Sequence, residues 1–167
     1  NRGQGAALAT GIEAALRSGA QIIVTFDADG QHRASDLPSI VEPIQSGEAD
    51  VVLGSRFIGE SKPDIPPIRR IILRLAIIFT RYSSNIDVTD THNGYRALSR
   101  KAGEQLRIKQ DRMAHASEIL DRIVRCKLRY VERPVSIRYS EYSLAKGQRN
   151  RDAFKLLLRV IFNKVTS

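Results

Sequence analysis

The chain has 167 residues, 42% of them hydrophobic and 27% charged, with 11 glycines and 6 prolines. That length suits one well-packed domain, and the composition excludes collagen-like, mucin-like and wholly disordered chains. The formal net charge of +9 sits at one end: residues 1–121 hold 15 basic and 15 acidic side chains, and residues 122–167 hold 12 and 3. Such an end suits nucleic acid, an anionic membrane surface or a phosphate-bearing substrate.

The opening Asn1-Arg2-Gly3-Gln4-Gly5 has no initiator methionine and no signal-peptide pattern, so the chain is expected to begin inside a longer protein. Ala6, Ala7, Leu8, Gly11, Ile12, Ala15 and Leu16 then recur at helical spacing, and Gly19 stands where that helix stops. Gln21 to Phe26 is a β-branched apolar run, the pattern of a strand buried on both faces, and it ends at Asp27-Ala28-Asp29-Gly30-Gln31-His32. Residues 36–46 read as a helix with Leu37, Ile40, Val41 and Ile44 inward, Ser35 as its cap and Pro38 in its first turn. Gly47 ends it, and Ala49 to Leu53 is a second buried strand running into Gly54-Ser55-Arg56-Phe57. Helix, strand, helix, strand with short links predicts a parallel α/β layer lacking at least its first strand.

Residues 58–67, with Gly59, Pro63, Pro66 and Pro67, read as a loop. From Ile68 to about Ser83 runs a basic amphipathic helix, its apolar Ile71, Ile72, Leu75, Ile78 and Phe79 interrupted by Arg69, Arg70, Arg74 and Arg81. Such a helix covers a core or lies on a membrane surface. Residues 85–98 turn from polar to apolar, Ser99 opens a short helix, and residues 114–126 form a longer one. Its Cys126 is the only cysteine, which excludes an intrachain disulfide or a cysteine-built metal cluster and suits a reducing compartment. Leu128, Tyr130, Val135, Ile137 and Tyr139 suggest strands broken by Pro134, and residues 152–165 form a last amphipathic helix. No apolar run approaches the roughly eighteen residues that span a bilayer.

Asp27 and Asp29 end a strand on the side where open α/β sheets bind ligands. Two carboxylates so spaced can turn toward one Mg²⁺ or Mn²⁺, with Gln31 or His32 adding a ligand and positions left for phosphate oxygens. The same pattern also makes an ordinary turn in which an aspartate accepts backbone N–H groups. Gly3 and Gly5 ahead of a helix suit close packing or anion contact, without the Gly-Lys-Ser/Thr of a Walker loop. Arg56 stands on the same rim, placed for a diphosphate or for a salt bridge to a neighbouring carboxylate. Asp90, within the polar stretch Thr89 to Asn93, reads as a general base, an acceptor-orienting group or a turn cap. The basic stretch 138–151, with Arg138 and Lys146, suits a phosphate-binding loop, while the interleaved Tyr130, Tyr139 and Tyr142 also fit a nucleic-acid footprint.

These motifs in this order resemble family 2 glycosyltransferases of the GT-A fold, in the branch of the dolichol-phosphate mannose synthases. The resemblance rests on Asn1-x-Gly3-x-Gly5-Ala6, Phe26 to His32, Gly47-x-x-Asp50-Val51-Val52-x-Gly54-Ser55-Arg56, Thr89-Asp90 through Gly94-Tyr95-Arg96, and Ser117-Glu118. It implies one Rossmann-like GT-A catalytic domain over residues 1–167, a three-layer sandwich truncated at its N-terminal, base-binding side. Asp27, Asp29 and Gln31 would hold Mg²⁺ or Mn²⁺, with Asp29 also counted among the catalytic groups. Gly3, Gly5, Arg56, Arg138 and Lys146 would contact a GDP- or UDP-linked sugar, the last two from a mobile lid over 138–151. Asp90, Arg96 and Glu118 would face the acceptor, Asp90 as an orienting catalytic group. The implied reaction is inverting hexosyl transfer to a polyprenyl or dolichyl phosphate, at the cytoplasmic face of a membrane and without nucleic acid. In the lid, Ser140 replaces the family's arginine and Ser143-Leu144-Ala145-Lys146 its Gly-x-Ser-Lys, so donor identity stays open, with Arg138 as a replacement charge. A soluble glycosyltransferase acting on a glycan hydroxyl and a basic nucleic-acid-binding module are the alternatives.

Overall fold

The computed structural model describes residues 3–59, 74–75, 77–78, 80–81, 85–91, 93–108 and 115–137. In chain order these form α1 (Gln4–Arg17), β1 (Ile22–Thr25), a 3₁₀ turn (Ala34–Asp36) leading into α2 (Leu37–Gln45), β2 (Val51–Ser55), β3 (Arg96–Ser99), α3 (Arg100–Gln105), α4 (His115–Arg125) and β4 (Tyr130–Pro134). The four strands make one sheet in the order β1-β3-β2-β4.

β1 and β2 run the same way, as the alternation of helix and strand requires, but they are not neighbours. β3 lies between them and antiparallel to both, whereas β4 is parallel to β2. The sheet is therefore mixed rather than parallel throughout. The sequence hides β3 because only Ala97 and Leu98 are apolar in its four residues, and it follows a polar stretch.

Alternating strand residues feed two cores. One face carries Ile23, Val51, Leu53 and Leu98 beneath Ile12 of α1, Ala102 of α3 and Ile119, Leu120 and Ile123 of α4. The other carries Val52 and Ala97 against Ile40 of α2, with Tyr95 and Val135 completing the cluster. Helices on both faces of the sheet give the three layers expected. The ends of β1 and β2 meet the start of β3, since Arg96 is in register with both Thr25 and Leu53. That shared rim carries the candidate chemistry.

Local signals hold with three corrections, the first at the run expected to be buried on both faces: of β1 only Ile23 is buried, and Phe26 lies past the strand, 61% exposed. α1 stops as expected, with Gly19 at φ 82° and its N–H bonded to the Leu16 carbonyl at 3.1 Å. Ser35 does not cap α2: the 3₁₀ turn intervenes, and the Ser35 hydroxyl lies 3.4 Å from Asp36 Oδ1. Leu37 at the start of α2 is 41% exposed rather than inward, while Ile40 is fully buried. Of the expected amphipathic helix over 68–83, residues 74, 75, 77, 78, 80 and 81 are described and helical, with Leu75 and Ile78 exposed. The expected lid over 138–151, with Arg138 and Lys146, and the helix over 152–165 lie outside the described residues. Among the described residues no helix is long and apolar enough to cross a membrane.

Candidate active site

Asp27 follows β1 and meets α1 at its first residue. Gln4 Nε2 donates to Asp27 Oδ1 at 2.8 Å, and His32 Nε2 stands 3.7 Å from Asp27 Oδ2. Gly94 supplies the floor, because a Cβ built there would lie 2.6 Å from Asp27 Oδ2. The facing His32 imidazole, followed by the charge of Arg96 and the Gln4 amide, holds the Asp27 carboxyl below the usual range against the opposing effect of burial. His32 is itself set edge-on to Tyr95, the ring centroids 5.0 Å apart. Asp29 is exposed, and its Oδ1 accepts the Gln31 backbone N–H at 3.0 Å, the turn contact that its spacing allows. Gly3 is the N-cap of α1 at φ 87° and Gly5 is buried in its first turn, so the expected donor glycines border Asp27 through Gln4.

Arg56 and Asp90 form the second half. Arg56 Nε donates to Asp90 Oδ2 at 2.6 Å, a terminal guanidinium nitrogen donates to Oδ1 at 2.8 Å, and the Arg56 backbone N–H reaches Oδ2 at 3.2 Å. The Asp90 side chain is 1% exposed and that of Arg56 12%. This is the fork-on-fork geometry in which Arg binds carboxylates most strongly. Of the readings open to Arg56, the salt bridge is formed. Both Asp90 oxygens are engaged by it, which suits an orienting group better than a proton acceptor.

Arg96 links the halves. It is buried at the start of β3, where desolvation lowers its pKa while the charges of Asp27 and Asp90 act to raise it. A groove of about 550 Å³ runs along α1 and β1 and is lined at its polar end by Gln4, Asp27, Gly94, Arg96 and His115. Glu118, expected on the acceptor side, takes Arg122 of its own helix, Nε to Oε1 at 3.0 Å.

Glu132 is a residue that sequence reasoning missed. On β4 it faces the segment carrying Asp90, its Oε1 accepting from Thr89 N at 2.9 Å, Thr89 Oγ1 at 3.0 Å and Asp90 N at 3.3 Å. Burial pushes its pKa up, opposed by the bonds from Thr89 and Asp90. No local signal marks it, since a Glu between Val131 and Arg133 reads as an edge-strand charge. Gln4 was equally hidden, although it lies between Gly3 and Gly5, and Gly94 is named in the sequence motif without the close approach to Asp27 that it makes.

Asp27, the buried Arg96 and the half-buried Arg56 with its Asp90 partner thus stand at one end of the sheet, beside the groove of about 550 Å³. Residues 1–107 match the Glycosyl transferase family 2 profile. The chain belongs to that family and so to its sugar-transferring enzymes, and its mixed sheet and three layers are consistent with the GT-A fold. It is 34% identical over 168 residues to an uncharacterized protein of Methanocaldococcus jannaschii, covering 99% of this chain and 69% of that one. It is 35% identical over 170 residues to the UDP-N-acetylglucosamine--dolichyl-phosphate N-acetylglucosaminyltransferase of Methanococcus voltae, covering 99% and 67%. The polyprenol monophosphomannose synthase of Mycolicibacterium smegmatis is 32% identical over 105 residues, 62% of this chain and 39% of that protein.

Proposed function

We propose that the protein is an inverting glycosyltransferase that moves a hexose from a nucleotide-diphospho-sugar to a polyprenyl or dolichyl phosphate at a membrane surface. The observation that carries this is the shared rim, where the carboxylates of Asp27 and of Asp90, the latter clamped by Arg56, both act on buried Arg96. In the reaction an acceptor phosphate oxygen attacks the anomeric carbon, the bond from sugar to diphosphate breaks, and a nucleoside diphosphate leaves. The attacking oxygen is already anionic near neutral pH, so the acceptor needs orienting more than deprotonating, which agrees with an Asp90 committed to Arg56.

Asp27 and Asp29 would hold Mg²⁺ or Mn²⁺, which when bound supplies positive charge for the leaving diphosphate. With Gln31 they would offer the oxygen donors that a hard cation prefers, although among the described residues no group of three or more His, Cys, Asp or Glu that could hold a metal ion is found. Arg56 would face the diphosphate, with Arg138 and Lys146 from the proposed lid closing over it. Arg96 and Glu118 are assigned to the acceptor side. The names of the relatives from Methanococcus voltae and Mycolicibacterium smegmatis support the lipid phosphate, and the exposed Leu75 and Ile78 support a membrane-facing surface.

The test is a panel of nucleotide sugars with Mn²⁺ and a short polyprenyl phosphate, applied to the full-length protein and read by mass spectrometry of the lipid. A hexosyl-phosphoprenol that disappears in Asp27→Asn and Asp29→Asn is the expected result. Donor turnover without lipid product would move the acceptor to a glycan or another hydroxyl. No turnover with any donor would overturn the reading.

A further inference from the structure

We infer that Glu132 is the positioning residue that fixes the Asp90–Arg56 clamp, acting through Thr89 and Ser55. The inference rests on the proposed role of that clamp in sugar transfer. Glu132 lies on β4, beside β2 and in register with Leu53, so the sheet itself fixes its backbone. From there its carboxylate gathers the backbone N–H groups of Thr89 and Asp90 and the Thr89 hydroxyl. Two of these donors belong to the residue before Asp90 and one to Asp90 itself.

The direction of the bonds extends the effect to Arg56. The Thr89 hydroxyl spends its proton on Glu132, so at 2.6 Å from Ser55 Oγ it accepts. The Ser55 hydroxyl therefore donates to Thr89 and in turn accepts the Phe57 backbone N–H at 3.1 Å. Ser55 and Phe57 bracket Arg56, whose own N–H reaches Asp90. One acceptor-only group at the end of this chain sets every hydroxyl proton in it and pins both sides of the clamp. Tyr130, two residues earlier on the same face of β4, grips Asp87 in the same way: its hydroxyl bonds the Asp87 N–H and carbonyl, both at 3.2 Å. β4 thus holds the segment carrying Asp90 at two points.

An amide in place of the carboxylate keeps the shape of Glu132 but turns one oxygen into a donor facing the Thr89 N–H, which both oxygens now approach at 2.9 and 3.0 Å. The oxygen at the Oε1 position can still accept from Thr89 and Asp90, but the new N–H facing the Thr89 N–H pushes that segment away, and Asp90 shifts with it. A displacement of about 1 Å at a reacting centre costs up to roughly a hundredfold in rate.

The experiment uses the full-length protein with Glu132→Gln, Thr89→Val and Thr89→Ser. Glu132→Gln and Thr89→Val are expected to lower kcat by roughly tenfold to a hundredfold with donor KM little changed, and Thr89→Ser to restore it. Glu132→Gln combined with Asp90→Asn should be no slower than Asp90→Asn alone, because the two changes remove one function. A second arm needs no turnover: amide hydrogen exchange over residues 85–91 should speed up in Glu132→Gln while that of α4 stays unchanged. Faster exchange there upholds the inference even if the wild type makes no lipid product, which would count against the acceptor assignment alone. Unchanged exchange, or fully additive losses in the double variant, would overturn it.

Discussion

At the scale of single residues, the site depends on two close approaches that tolerate no added atoms and no change of donor geometry. Gly94 is the first. A methyl group at this position would overlap the Asp27 carboxylate at 2.6–2.8 Å, and that carboxylate is already held by Gln4 and faced by His32. Gly94→Ala should therefore displace Asp27 while the core stays intact, and lower turnover by up to roughly a hundredfold with an unchanged far-UV spectrum. The second is the Arg56 fork. Removing the guanidinium in Arg56→Ala takes two charge-assisted bonds from a carboxylate that is 1% exposed, while the charge of Arg96 still acts on it, and should cost about 2 kcal/mol in denaturant melts. Arg56→Lys restores charge but not two parallel N–H donors, so it should recover part of the stability and little of the turnover. Equal activity of Lys and Arg at this position would mean that charge alone matters. The Asp-x-Asp, Arg56 and Asp90 are visible in the sequence because each closes a recognisable strand or motif. Their supports are not, because Glu132 reaches Thr89 across 43 positions and Gln4 reaches Asp27 across 23.

At the scale of elements, the strands and helices with continuous apolar periodicity are legible and those made by tertiary pairing are not. α1 and α2 follow from apolar residues at helical spacing ended by Gly19 and Gly47, and β1 and β2 from short runs rich in Ile, Val and Leu. β3 takes its strand character from the two neighbours it pairs with, and its antiparallel direction from the chain returning between β1 and β2. β2 and β4 are joined at their starts by Asp50, which accepts the Arg129 N–H at 3.0 Å and faces its guanidinium. That pairing lowers the Asp50 pKa, chiefly through the side-chain bond to Arg129. A depressed folded pKa means stability that is present above the usual aspartate range and lost as pH falls through the lowered value. Arg129 is 60% exposed, so the contribution is screened and small. Asp50→Asn should lower Tm by about one to three degrees at pH 7, and this gap should close as the melts are taken toward pH 3. A gap that stays constant with pH would show that packing, rather than charge, joins the two strands.

At the scale of the whole molecule, charge and apolar exposure together make a case for a membrane-facing surface that can be tested apart from catalysis. The whole positive excess falls in residues 122–167, and Leu75 and Ile78 stand 51% and 63% exposed three positions apart on one helical face. Arg74 and Arg81 flank them and are exposed as well. A basic chain end and an inserted apolar pair attract a bilayer by different forces. The first acts on anionic headgroups and fades within a Debye length, about 8 Å at physiological salt. The second depends on apolar area removed from water, worth about 1.5–3 kcal/mol for each fully buried Leu or Ile, and salt does not screen it. Sedimentation of the full-length protein with vesicles of mixed anionic and neutral lipid separates the two. Leu75→Ser with Ile78→Ser should weaken binding by at least about tenfold at moderate salt and abolish the fraction that persists at high salt. Neither side chain belongs to the clamp or the carboxylate pair, so turnover of a water-soluble short-chain acceptor should be retained. Binding that is lost with salt alone and indifferent to these two changes would assign the membrane contact to charge and leave the apolar pair without a role in it.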